Sequence, residues 1–550
     1  MKYISRFLFN FLAFGLILSC TQPSQRIEVH PVELHPIYAM SRGTPRGPGL
    51  PFGVAEGLDT ERVKASTVRV VFGEGNSTMI SSGFFIANDK IATNIHVIAD
   101  ADLASLHVRT DNADWTIQGV TAFDTQNDLV ILQISGPGVP LVLGNSDAVS
   151  SGETVFCVGY VGYPADRFNI METTALSERL NGAWLRVTPN SPAGNSGGPV
   201  LNTEGEVIGI NVAGNGPIGY AVGSNVLKGL LDRSGTVEPL AKWQQRDTIR
   251  AFSYLGQASS AFYNADYAGA IEAIDKFYTI NPMHVGISMK YSNRGYAKIL
   301  LGHSKFDKEA PEVAQQYYRA GIQDLDKAIS ITPTNTPAYA KRGYVKVLLG
   351  RAEFTKDNSE VAQQYYRAAI EDFDKAIGIY PKFPSYAERG AVKVALGILE
   401  TNRGRITEAQ QYYHAAIEDF DEAILYDQYD TYAYIIRGYT KICLADFEAD
   451  KGNMEGARSL YESAVTDTDT ESAIKLDTEN PYAYHTLGVA KAKLDDYVGA
   501  VDDFNKTVSL KPDFAKAYHN RAIVKLLLGE KREAKADFKK AEELGLDIGK

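Results

Sequence analysis

The chain has 550 residues, 44% of them hydrophobic and 22% charged, which is room for two or three domains with substantial cores. A net charge of −11 and an isoelectric point near 5.5 argue against nucleic acid as the main partner. Of three cysteines, Cys20 ends a leader, Cys157 sits in an apolar run and Cys443 in a helical stretch, so no structural disulfide is expected and the last two read as small buried apolar residues.

Lys2 and Arg6 flank the start of an apolar run of 12 residues, Phe7 to Leu18. That is too short to span a bilayer and suits a secretory signal over residues 1–20. The run ends Ile17-Leu-Ser-Cys20, which resembles a bacterial lipobox and implies cleavage before Cys20 with lipidation of its thiol. A cleaved signal without lipid and an uncleaved anchor are the alternatives. Residues 21–57 hold six prolines and no periodic pattern, the composition of a flexible tether.

From Thr67 to about Ala221, short apolar runs such as Val68-Arg-Val-Val-Phe72, Gly83-Phe-Phe-Ile86 and Val207-Ile-Gly-Ile-Asn-Val212 are separated by Gly, Asn, Asp and Pro, an all-β pattern. Three polar residues stand at the ends of such runs. His96 closes Ile91-Ala-Thr-Asn-Ile-His96, Asp128 opens Asp128-Leu-Val-Ile-Leu132, and Ser196 lies in Ser191-Pro-Ala-Gly-Asn-Ser-Gly-Gly-Pro-Val200. The glycines allow a tight turn that presents the N–H groups of Gly194, Asn195 and Ser196 as an oxyanion hole. Taken alone, the loop also fits a glycine-rich hairpin with an incidental serine. The chain order His96, Asp128, Ser196 is one of the known orders for nucleophilic serine chemistry: His96 takes the serine proton and Asp128 orients the imidazole. No His or Cys pairs stand at ligand spacing, so neither metal nor cofactor is expected.

Ser82-Gly-Phe-Phe-Ile86, Thr93-Asn-Ile-His-Val97, Asp128-Leu-Val-Ile-Leu132 and Gly194-Asn-Ser-Gly-Gly-Pro199 together resemble the trypsin-like serine proteases, and within them the HtrA-like (Do-like) group. The resemblance covers roughly residues 60 to 230. It implies two packed antiparallel β-barrels with the triad in the cleft between them. It also implies a specificity pocket with Asn190 near its base and walls from Ile210, Asn211 and Val212 and from Ile218 and Gly219 to Ala221. That pocket holds no carboxylate, so a small or medium apolar side chain suits it better than Lys or Arg. The sequence departs from the group's pattern at Ala193, where proline is usual.

From about residue 251 the pattern turns helical and repeats. Ala314-Gln-Gln-Tyr-Tyr-Arg recurs from Ala362 and, ending in His, from Ala409. Tyr291-Ser-Asn-Arg-Gly recurs in kind at Tyr339, Tyr386 and Tyr434, at spacings of 47 to 48 residues. The last two units, from Tyr484 and Tyr518, are 34 apart and resemble tetratricopeptide repeats, with Tyr484, Leu487, Gly488, Tyr497, Ala500, Phe504 and Pro512 at the packing positions. About seven extra residues per helix, two turns, would lengthen the earlier units and keep the same face inward. Tyr296, Tyr344 and Tyr439 are expected on or near a concave partner-binding face.

The expected organisation is a signal over 1–20, a tether over 21–57, a protease domain over 58–235, a linker over 236–250 and a solenoid of about seven repeats over 251–547. The expected function is a serine endopeptidase, lipid-anchored in a bacterial cell envelope, whose repeats recruit protein substrates or partners. A scaffold with a vestigial protease-like domain is the alternative.

Overall fold

The computed structural model describes residues 58–546, apart from 74–78, 162–166, 181–182, 189, 192–193, 216–217, 285, 307–310, 355, 357, 382–384 and 470–471. The leader, Cys20 and the tether lie outside the described residues. The rest forms two compact units, one of residues 58–306 with 312–338, the other of residues 339–546.

The first unit begins with seven strands: β1 (Thr67–Phe72), β2 (Met79–Ala87), β3 (Lys90–Asn94), β4 (His107–Arg109), β5 (Asp114–Trp115), β6 (Ile117–Asp124) and β7 (Leu129–Ile134). They make an antiparallel sheet in the order β5-β4-β1-β2-β3-β7-β6. Then β8 (Thr154–Val161), β9 (Arg167–Leu180), β10 (Trp184–Thr188), β11 (Pro199–Leu201), β12 (Val207–Asn215) and β13 (Ile218–Gly223) close a barrel in the order β10-β13-β12-β11-β8-β9.

Side chains alternate across a strand, so an uninterrupted apolar run means that both faces are covered. In β7, Leu129 and Ile131 join a core shared with Val158 and Trp184 of the barrel. Val130, Leu132 and Ile134 face the opposite way, into a second core. That second core contains Val68, Val70 and Phe85 from the sheet and also Trp243, Ile249, Phe252, Phe277 and Tyr278 from farther along the chain.

Residues 236–250, expected to be a linker, contribute Trp243 and Ile249 to that core. Glu238 exchanges two 2.8 Å backbone hydrogen bonds with Val120 on β6. Helices Leu240–Gln244 and Asp247–Arg250 follow, and Trp243 and Ile249 are both 0% exposed. The apolar pairs Leu240/Trp243 and Ile249/Phe252, spaced three apart, are what distinguishes this stretch from a polar spacer.

Among the described residues, seven helix pairs follow from Ser253 to Glu543. Ser359–Ile379 and Ile406–Tyr426 are 21 residues long where the equivalent helix of a late pair, Tyr497–Leu510, has 14. A recurring ion cluster joins the helices within a pair. Arg389 and Lys393, one turn apart, hold the Asp419 carboxylate at 2.6 and 2.7 Å. Arg294 and Lys298 do the same to Asp324, Arg342 and Lys346 to Asp372, Arg437 and Lys441 to Asp467, and Arg521 and Lys525 to Asp537.

Tyr296, Tyr344 and Tyr439 do not line an open surface. They are 3%, 5% and 2% exposed, because the position after the helix glycine turns into the helix packing. Among the described residues no helix is long and apolar enough to cross a membrane, and no cluster of His, Cys, Asp and Glu could hold a metal ion. Cys157 and Cys443 are both buried, and burial pushes Cys157 up to about 12.

Candidate active site

His96 lies in a single helical turn, Ile95–Ile98, directly after β3. Asp128 immediately precedes β7, which pairs with β3 so that Asn94 faces Leu129. The register thus sets Asp128 against the start of the His96 turn. Asp128 holds that turn at several points: its Oδ1 accepts the His96 N–H at 3.0 Å, its Oδ2 pairs with His96 Nδ1, and its backbone oxygen accepts from Asn94 Nδ2 at 2.9 Å. Asp128 takes the left-handed conformation, φ 58°, which Asp tolerates better than most residues, and it is 2% exposed. The His96 side chain is 27% exposed. Burial works against its charged form, but the charge of Asp128 and its hydrogen bond outweigh this and raise the pKa above the usual 6.5.

The serine loop is docked on the same strands. The Ser82 hydroxyl on β2 donates to Gly194 O at 2.8 Å and accepts the Tyr160 N–H at 2.9 Å, while Ser82 N–H donates to Ser196 O at 3.0 Å. Ser82 thereby links the sheet, the barrel and the loop. Sequence reasoning passed over it, although it opens one of the motifs quoted above. Gly197, φ 82°, presses so close that a Cβ there would come within 2.2 Å of Ser82 O and of Thr93 Oγ1, three residues before His96. Gly194, φ 103°, also requires the freedom of glycine. The Ser196 hydroxyl donates to Val212 O at 3.0 Å.

Asn190 and Gly219 are brought together, since a Cβ on Gly219 would meet Asn190 Oδ1 at 3.0 Å. Ile210 and Val212 are in the apolar core, and Asn211 accepts the Gly197 N–H at 2.8 Å through its carbonyl. The Ile218 side chain lies outside the described residues. Behind Asp128, the Trp184 indole N–H donates to Asn127 Oδ1 at 3.1 Å, and the His284 ring lies against Trp184 with centroids 6.2 Å apart.

A β-rich domain with this loop, followed by paired helices, is a trypsin-like peptidase domain joined to tetratricopeptide repeats. Residues 81–210 match the family model of the trypsin-like peptidase domain, and residues 515–544 match a tetratricopeptide repeat.

Among curated proteins, the chain is similar to a probable periplasmic serine endoprotease DegP-like from Marinomonas sp. (strain MWYL1), at 30% identity over 172 residues, 29% of this chain and 36% of that protein. A protein of the same description from Pseudomonas putida (strain GB-1) is 32% identical over 138 residues, 24% of this chain and 28% of its own length. The chain thus spans about a third of the length of these relatives. A solved structure, the active form of the Rv3671c protease from M. tuberculosis, is 20% identical and covers 38% of this chain and 96% of its own, with a TM-score of 0.29.

Proposed function

We propose that the protein is a serine endopeptidase that hydrolyses protein substrates through His96, Asp128 and Ser196. The observation that carries this reading is the grip of Asp128 on His96 beside a glycine-rich serine loop docked on Ser82 and Thr93.

Ser196 leaves its hydrogen bond to Val212 O by a rotation about χ1 and turns toward His96. His96 takes the hydroxyl proton as Oγ attacks the scissile carbonyl. Asp128 keeps the imidazole in the tautomer with its proton on Nδ1 and stabilises the imidazolium that forms. The N–H groups of Gly194, Asn195 and Ser196 receive the developing oxyanion. His96 then returns the proton to the leaving amine, and water releases the acyl group by the same steps in reverse. Asn190, Asn211 and Gly219 border the pocket for the residue before the scissile bond, and a small or medium apolar side chain fits there.

The tetratricopeptide helices recruit protein substrates or partners. Lipid on Cys20 anchors the chain in a bacterial envelope, in keeping with the periplasmic description of the relatives. Cys20→Ser is expected to leave the detergent phase on partitioning, and retention there would place the anchor elsewhere. The catalytic reading is tested by covalent labelling of Ser196 with a fluorophosphonate, with Ser196→Ala as the unlabelled chain.

A further inference from the structure

The His96 turn is four residues long, and so short a helix cannot fix its own orientation. Its start is held by Asp128. Its end is held from outside the peptidase-matched region: Gln244 Nε2 donates to Ile98 O at 2.8 Å and to Ala101 O at 3.0 Å. Gln244 is itself fixed by its neighbour Trp243, fully buried and edge-on to Phe123 with centroids 5.9 Å apart.

The Asp128 side of the pair has a parallel support. His284, in the connection after helix Tyr267–Ile280, is enclosed by Trp184, Phe252, Phe277 and Tyr278. Its Nδ1 accepts the Gly286 N–H at 3.1 Å, which leaves the ring neutral with its proton on Nε2. The ring backs Trp184, whose indole holds Asn127, the residue before Asp128. Asp128 sits in a left-handed conformation that persists only where its surroundings enforce it.

We propose that Gln244 is a positioning residue for His96, and that the lead-in helices and first helix pair of the repeat region are a working part of the catalytic unit, with His284 supporting Asp128 through Trp184 and Asn127. The inference rests on the reading of His96 as the general base. A displacement of the base by about 1 Å can cost on the order of a hundredfold in rate, so two hydrogen bonds at the end of its turn are enough to matter. On the proposed reading substrate binding draws on β12, β13 and the serine loop, whereas the hydrogen bonds of Gln244 go to Ile98 and Ala101.

The test is Gln244→Met in the full chain, which keeps the side chain's length and removes both donors. With a short chromogenic peptide carrying an apolar residue before the scissile bond, kcat is expected to fall by about tenfold to a hundredfold with KM within about twofold. Amide exchange of residues 95–101 is expected to quicken by about tenfold while that of β1 and β7 stays as in the wild type. Wild-type kcat in the folded variant overturns the inference, and so does a change confined to KM. If the wild-type chain takes no fluorophosphonate at Ser196, the protease reading fails by itself. The exchange measurement then still decides the tie between Gln244 and the His96 turn, and unchanged exchange there overturns it.

Discussion

His96 and Asp128 set the pH behaviour of the site. Burial disfavours the imidazolium, and Asp128 more than restores it, so the folded pKa lies above 6.5. As the proposed general base, His96 works only when neutral, so activity is expected to fall as pH drops through that raised pKa. The linkage to stability has the opposite sense. The pair's contribution is fully present below 6.5 and fades as pH rises through the folded value. We expect the His96 imidazole of the Ser196→Ala chain, followed by NMR, to titrate above 6.5, and Asp128→Asn in that background to lower the midpoint. Titration below 6.5 with Asp128 in place would contradict the pairing. His96, Asp128 and Ser196 were legible in the sequence because each is a chemistry-bearing residue in a short local string. Gln244 and His284 were not. Gln244 acts through a contact spanning 146 positions, and nothing in its neighbourhood marks a side-chain amide for that task.

Among the elements, the strands were legible from their apolar runs and the helix pairs from the recurrence of Tyr-x-x-Arg-Gly. The arginine in that string carried a structural meaning that spacing alone does not reveal. With a lysine four residues on, it encloses an aspartate of the following helix, and Asp419 in such a cluster is 3% exposed. Removing one partner of a buried ion cluster leaves the others uncompensated. Asp419→Ala should therefore destabilise its unit by about 3 kcal/mol, read from the repeat region's unfolding transition by calorimetry. A transition unmoved by the change would show that the cluster is not what holds the pair. The burial of Trp243 and Ile249 was not legible in the segment 236–250, because its polar residues and Pro239 dominate a local reading, whereas the core that takes them in is built on strands more than a hundred residues earlier. The uninterrupted Leu129-Val-Ile-Leu132 was the signal available, since a strand apolar on both faces needs a second cover.

At the largest scale, the peptidase strands and the helices from Leu240 to Ile280 share one core within the first unit. Truncation at residue 235 removes Trp243 and Ile249 from the cluster that holds Val120, Val130 and Leu132, and is expected to destabilise the first unit. The proposed function, however, hangs on one serine. The measurement that tests it most directly is reaction of the full chain with a fluorophosphonate, the adduct located by mass spectrometry of the digested protein. A single adduct on the peptide containing Ser196 is expected, with the labelling rate collapsing in His96→Ala while the fold is kept. Absence of an adduct at Ser196, or equal labelling in His96→Ala, would contradict the catalytic assignment.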